Sequence, residues 1–200
     1  MNFKLTDEQE AIQKAVREFL EKEAKDLARE VEETNEGYSV ELWQKMANLG
    51  WMGVSFPDEY GGSGGDFVDL ILVLEEMGRA LVLGPFIPSV VCSGHTLLKY
   101  GSEPQKKEFL PKLTSGKLVI TPALIKPESS MGQDLVKEQV KFEKGDYVLS
   151  GTRLFVHYGH LADWFIYRAE TEKGDTLFLV NTESPGVNCA LLKTIASDRQ

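Results

Sequence analysis

The chain has 200 residues, 42% hydrophobic and 26% charged, with 18 Gly and 8 Pro. These values exclude a disordered, collagenous or metal-stapled miniature protein and leave room for one or two domains with a core. Lys and Arg number 22 against 31 Asp and Glu, a formal net charge of −9, which is the wrong sign for a phosphate backbone, so no nucleic-acid partner is expected.

Only Cys92 and Cys189 are present, far apart and outside any CxxC or Cys/His cluster. That usage suits a reducing compartment, the cytoplasm or an organelle matrix, with no metal site. Met1 to Leu5 runs straight into charged, helix-like sequence without the apolar stretch of a signal peptide.

Thr6 and Gln9 have capping-box spacing, and Ile12, Val16, Phe19, Leu20, Leu27 and Val31 then recur every three or four residues. This predicts one long amphipathic helix ending before Gly37. Ser39 caps a short second helix with Leu42 and Met46 inward and Gly50 as its stop. Trp51 to Gly65 reads as a loop rich in Gly and aromatic residues.

From Asp66, the positions Phe67, Leu70, Ile71, Leu74, Met77, Gly78 and Leu81 predict a third helix. Ser89 to Tyr100 predicts a fourth, stopped by Gly101. Ser102 to Gln105 repeats the capping-box spacing with Pro104 in the first turn, opening a fifth helix that ends between Pro111 and Gly116. Ala80 to Leu98 carries no formal charge and approaches the ~20 residues of a membrane span. Gly84, Pro85 and Pro88 break it, so a turn feeding a buried helix is expected and no membrane span.

The period then changes. Leu118 to Leu124 is a short apolar run, and Val136, Glu138, Val140 and Phe142 alternate with Lys137, Gln139 and Lys141. Gly145-Asp146 reads as a turn before Tyr147 to Ser150, Gly151 to His157 continues extended, and Trp164 to Arg168 and Leu177 to Val180 flank a turn at Lys173 to Asp175. Helices followed by antiparallel strands imply an α+β chain: an all-α domain over residues 1–117 and a β domain over 118–200. The polar stretch at Leu191 to Gln200 directly follows a strand pattern, which reads as a β domain cut short with an open sheet edge.

No motif for nucleophilic or metal catalysis is present, since His95, His157 and His160 lack HExxH spacing and no GxSxG or P-loop occurs. The run Gly61-Gly62-Ser63-Gly64-Gly65 follows a Pro-Asp-Glu turn and not a strand, so a turn between helices is expected and not a phosphate cradle. The neighbours Glu75-Glu76 and Glu32-Glu33 point in different directions on a helix and read as solvated faces.

Three stretches carry a resemblance: Leu49-Gly50-Trp51-Met52-Gly53-Val54, Pro57 to Asp66 (Pro-Asp-Glu-Tyr-Gly-Gly-Ser-Gly-Gly-Asp), and Leu74-Glu75-Glu76-Met77-Gly78-Arg79-Ala80. Together they resemble the amino-terminal helical domain of the acyl-CoA dehydrogenases. The likeness continues through Tyr100 to Lys107, Leu110 to Leu113, Ser115-Gly116, Leu149 to Arg153 and Ala162-Asp163, and Ser197 to Gln200 is similar to a stretch of that family's middle β domain.

The resemblance implies an α domain, then an antiparallel β-barrel-like domain, then a four-helix domain beyond Gln200 that carries the catalytic base. It also implies non-covalent FAD, an acyl-CoA substrate oxidised between Cα and Cβ, electron-transfer flavoprotein as acceptor, and a homo- or hetero-oligomer with other acyl-CoA dehydrogenase subunits. Two flavin-lining motifs of the family are altered here. Around the first, Leu124 and Ile125 precede Pro127, with Ile125 where Thr is usual and Gln133 where Ser is usual. The second reads Phe155-Val156-His157-Tyr158, with His157 in place of the hydroxyl residue. The cofactor-binding positions implied are thus Leu124, Ile125, Gln133, Phe155, Val156 and His157. Because Ile125, Gln133 and His157 together depart from the family's flavin-lining residues, a non-catalytic subunit paired with an active homologue is an alternative reading.

Overall fold

The computed structural model describes residues 4–127, 140–143, 145–172 and 174–192. The first helix, α1 (Asp7–Glu23), opens with the expected reciprocal cap: Thr6 Oγ1 accepts the Gln9 N–H and Gln9 Oε1 accepts the Thr6 N–H, both at 3.2 Å. The predicted continuation to Gly37 does not hold. The chain breaks after Ala24, Asp26 adopts φ 60°, and a separate α2 covers Leu27–Glu32. Asp tolerates the left-handed region better than most residues. The bend also turns Leu27 and Val31 toward Leu42, a change of direction that leaves the three-to-four-residue spacing intact and is invisible in it.

Helix α3 (Val40–Asn48) is capped by Ser39 Oγ, which accepts the Leu42 N–H, and stops at Gly50, whose φ is +80°. Helix α4 (Phe67–Arg79) begins where the Asp66 carboxylate accepts the Val68 and Asp69 N–H groups. Its buried stripe is Leu70, Val73, Glu76 and Met77, whereas Phe67 and Ile71 are 54% and 45% exposed. Leu81, predicted as part of the stripe, lies beyond the helix and is exposed.

The predicted fourth helix is a π-helical segment, Phe86–Gly94, followed by α5 (His95–Tyr100). Pro88 within it has no N–H to donate, and such irregular turns often accompany proline. Helix α6 (Glu103–Thr114) is capped by Ser102 and Gln105 as expected.

The strands are β1 (Ile120–Ala123), β2 (Lys141–Glu143), β3 (Asp146–Val148), β4 (Trp164–Thr171) and β5 (Gly174–Asn181). They form a sheet of order β1-β4-β5 and a separate β2-β3 hairpin. The α+β class holds, but the sheet is not purely antiparallel: β1 pairs with β4 in parallel, Ile120 opposite Trp164, while β4 and β5 are antiparallel. The long connection between β1 and β4 supplies the crossover that parallel pairing requires. Gly151 to His157 forms no strand, and no closed barrel is present among the described residues.

One core runs through both regions. Leu20, Met46, Phe56, Leu70 and Leu113 are continuous with Ile120 and Ile166. Polar bonds reinforce the seam: Ser89 Oγ accepts the Ile120 N–H at 3.1 Å, with both residues fully buried, and Trp43 Nε1–H donates to the Gly116 carbonyl at 3.0 Å. Gly116 has φ +70°, and a Cβ there would lie 2.9 Å from that of Ala47, so only glycine fits this corner. Asp163 gathers the sheet, accepting the Val119 N–H on Oδ2 at 2.8 Å and the Thr182 N–H and hydroxyl on its carbonyl. Among the described residues no helix is long and apolar enough to cross a membrane, and no group of three metal-ligating side chains occurs.

Candidate functional site

Beyond Ala123 the chain continues through Leu124 and Ile125, and there the segment 154–157 lies alongside it. The Leu154 N–H donates to the Ile125 carbonyl at 2.8 Å, and Thr121 Oγ1 donates to the His157 carbonyl at 2.8 Å. These two bonds set the segments antiparallel, 121 against 157 and 125 against 154. Five of the six residues named from sequence, Leu124, Ile125, Phe155, Val156 and His157, therefore stand on one paired edge, and Gln133 lies outside the described residues. Leu124, Ile125 and Phe155 are 42%, 45% and 49% exposed, an apolar surface that helical packing does not cover. His157 is exposed and Val156 half-buried.

Phe155 and Tyr158 both adopt φ 54°, which breaks the pleat and explains why the extended pattern from Gly151 makes no strand. A tight turn follows, closed by Gly159 N–H to the Val156 carbonyl at 2.9 Å and Leu161 N–H to the Tyr158 carbonyl at 3.0 Å. Among the described residues the amides of Phe155 and Val156 donate to no acceptor, so two consecutive donors remain for a ligand.

An open cavity of about 980 Å³ adjoins this turn, with Arg153, Phe155, Val156, Trp164, Phe165 and Leu179 in its wall; Leu124, Ile125 and His157 lie outside it. No Asp or Glu lines it among the described residues, although the chain carries nine more acids than bases. Arg153 places its guanidinium 3.9 Å over the Tyr167 ring and donates to the Arg168 carbonyl at 2.9 Å. Arg153 closes the Leu149–Arg153 stretch of the likeness but is not among the cofactor positions implied from sequence; its place two residues before the Phe155–Tyr158 motif is the available signal.

The glycine run is a turn. The amides of Gly61, Gly62, Ser63, Gly64 and Gly65 all donate to carbonyls, of Asp58, Pro57, Gly53, Phe56 and Val54, so they are committed and form no anion cradle. A Cβ on Gly62 would sit 1.9 Å from the Phe56 carbonyl oxygen. His95, half-buried, stacks on Phe56 at 4.8 Å with Ser55 Oγ 3.0 Å from its Nε2, and burial pushes its pKa below the usual imidazole value. The expectation of a solvated face holds for Glu32, Glu33 and Glu75, which are exposed, and fails for Glu76. That carboxylate is 1% exposed and bound by Arg17 at 2.6 Å and Arg79 at 2.8 Å. The sequence offered no sign of this, because Arg17 is 59 residues away.

The profile of the family described as "Acyl-CoA dehydrogenase, N-terminal domain" matches residues 6–117. The chain belongs to this acyl-CoA dehydrogenase family. It is 35% identical over 191 residues to the short-chain-specific acyl-CoA dehydrogenase of Clostridium acetobutylicum, covering 90% of this chain and 49% of that protein. Among solved structures it is similar to the ChsE4-ChsE5 complex from Mycobacterium tuberculosis (TM-score 0.89, 28% identity, 100% of this chain and 54% of that one). It is also similar to a glutaryl-CoA dehydrogenase from Mycobacterium smegmatis in complex with FADH2 (TM-score 0.81, 27% identity, 94% and 49%). The chain spans about half the length of the curated relatives it matches. Within the family, the profile covers the helical region; the paired edge at 124–125 and 154–157 lies beyond it.

Proposed function

We propose that this chain is part of an FAD-dependent acyl-CoA dehydrogenase, with residues 1–117 as its helical domain, residues 118–200 as its β domain, and Leu124, Ile125, Gln133, Phe155, Val156 and His157 against the flavin. The observation that carries this reading is the pairing of 124–125 with 154–157. It puts an exposed aromatic ring, two exposed aliphatic side chains and two unengaged amides on one edge, a fit to a flat ring system with polar rims. Relatives named acyl-CoA dehydrogenase and a similar structure holding FADH2 support it.

FAD, when bound, supplies the two-electron oxidant that takes the β-hydrogen of the thioester as hydride. The chain's own residues would bind and orient. The Phe155 and Val156 amides replace donors that Ile125 lacks, His157 offers an imidazole N–H, and a wall free of carboxylates with Arg153 in it suits the phosphates of an anionic cofactor or CoA ester. Electron-transfer flavoprotein as acceptor and assembly with like subunits belong to the same proposal.

The test is the visible spectrum of the protein in its natural full form, supplied with FAD and passed through gel filtration. A retained flavin band that acyl-CoA bleaches is expected; the absence of any band overturns the reading. A second reading, a subunit whose partner does the chemistry, is favoured by Ile125 at a position without a donor and by the similar structure's being described as a complex. Flavin that bleaches only when a second dehydrogenase chain is added would select it.

A further inference from the structure

The Leu154–His157 segment is tied to the helical region by an aromatic strap that starts at Tyr158, the last residue of the second motif. Tyr158, buried and left-handed at φ 54°, meets Tyr38 edge-on at 6.0 Å, and Tyr38 meets Trp43 edge-on at 5.8 Å. Trp43 packs on Phe86 at 6.4 Å and is bonded to Gly116. His160 stacks 6.5 Å from Tyr158, with Nε2 3.0 Å from the carbonyl oxygen of Asn35. Both anchors, Asn35 and Tyr38, belong to the connection between α2 and α3.

A left-handed backbone at a bulky residue is unfavourable and persists only when surrounding contacts over-determine it. The ring contacts of Tyr158 are those contacts. They act across the turn from Val156, whose carbonyl receives the Gly159 N–H, and one residue after His157, whose carbonyl is held by Thr121.

We propose that Tyr158, Tyr38 and His160 are positioning residues: they fasten the 154–161 turn to the α2–α3 connection, so that the helical region sets where the Phe155 and Val156 amides point. The inference rests on the proposed flavin site for its functional meaning, and on the strap alone for its mechanics.

Hydrogen exchange on the protein without added flavin tests the mechanics. Tyr38→Ala should raise exchange of the Gly159 and Leu161 amides about tenfold while Ile166 and Leu179 in the sheet stay protected. Tyr38→Phe, which keeps the ring, should leave all four unchanged. His160→Phe, which keeps a stacking ring but loses the bond to Asn35, should raise the same two amides by a smaller factor. Unchanged exchange at Gly159 and Leu161 in Tyr38→Ala, or a uniform rise that includes the sheet, overturns the strap. Flavin affinity, measured by fluorescence titration, should fall about tenfold in Tyr38→Ala and hold in Tyr38→Phe. Equal affinity in both overturns the positioning role even if exchange responds. A protein that binds no flavin, yet shows the exchange pattern, contradicts the proposed function and leaves the mechanical link established.

Discussion

Two guanidiniums hold Glu76 in the seam between α1 and α4, and their hydrogen bonds, Arg17 first and then Arg79, bring its pKa from 4.5 to about 2 against the opposing effect of burial. The contribution to stability is therefore complete above the unfolded value near 4.5 and is lost as pH falls from there through about 2. Glu76→Gln should cost about 3 kcal/mol, the low end for breaking a buried pair because both arginines are half exposed. It should also flatten the dependence of the urea midpoint on pH across that acid window, which equilibrium denaturation at several pH values would check. At the proposed flavin edge, His157→Ala should weaken FAD by about 1–3 kcal/mol, the range for a hydrogen bond to a charged group. His157→Thr, which restores a donor, should retain the affinity; equal binding by all three proteins in a titration would show that His157 faces elsewhere.

Helix α4 ends in a paired turn at which Val82 N–H bonds the Met77 carbonyl and Leu81 N–H bonds that of Gly78. This pattern demands a left-handed residue at position 81, normally glycine. Leu81 fills it with φ 53° and 68% exposure, so its side chain adds strain and little packing. Leu81→Gly should stabilise the protein by about 0.5–1 kcal/mol, read as a higher thermal midpoint, and a lower one would show that Leu81 is held by contacts beyond this chain. The same element shows why periodicity misplaces a stripe. Phe67, Ile71 and Leu81 share the three-to-four-residue spacing, but the face that packs is the one containing Glu76, whose charge is matched from α1.

Across the molecule, the helical and sheet regions share a core and a buried bond from Ser89 to Ile120. Ser89→Ala leaves the Ile120 N–H buried without its acceptor and should cost about 1–3 kcal/mol. Because the core is continuous, that loss should lower the protection of slow-exchanging amides in α4 and β4 together. Loss confined to β1 and β4 would show that the two regions unfold independently.

What the sequence by itself determined are the features written in local chemistry: the caps at Thr6, Ser39 and Ser102, the stops at Gly50 and Gly101, the switch from helical to alternating period near residue 118, and the family likeness. Caps and stops satisfy or end hydrogen bonding within a few residues, so a few residues suffice to specify them. Only the tertiary structure decided the break at Asp26, the parallel pairing of β1 with β4, the burial of Glu76 between distant arginines and the apposition of 124–125 with 154–157. The last three depend on partners about 30 to 60 residues away, and a contact formed at that range leaves no periodic trace in the segments that make it.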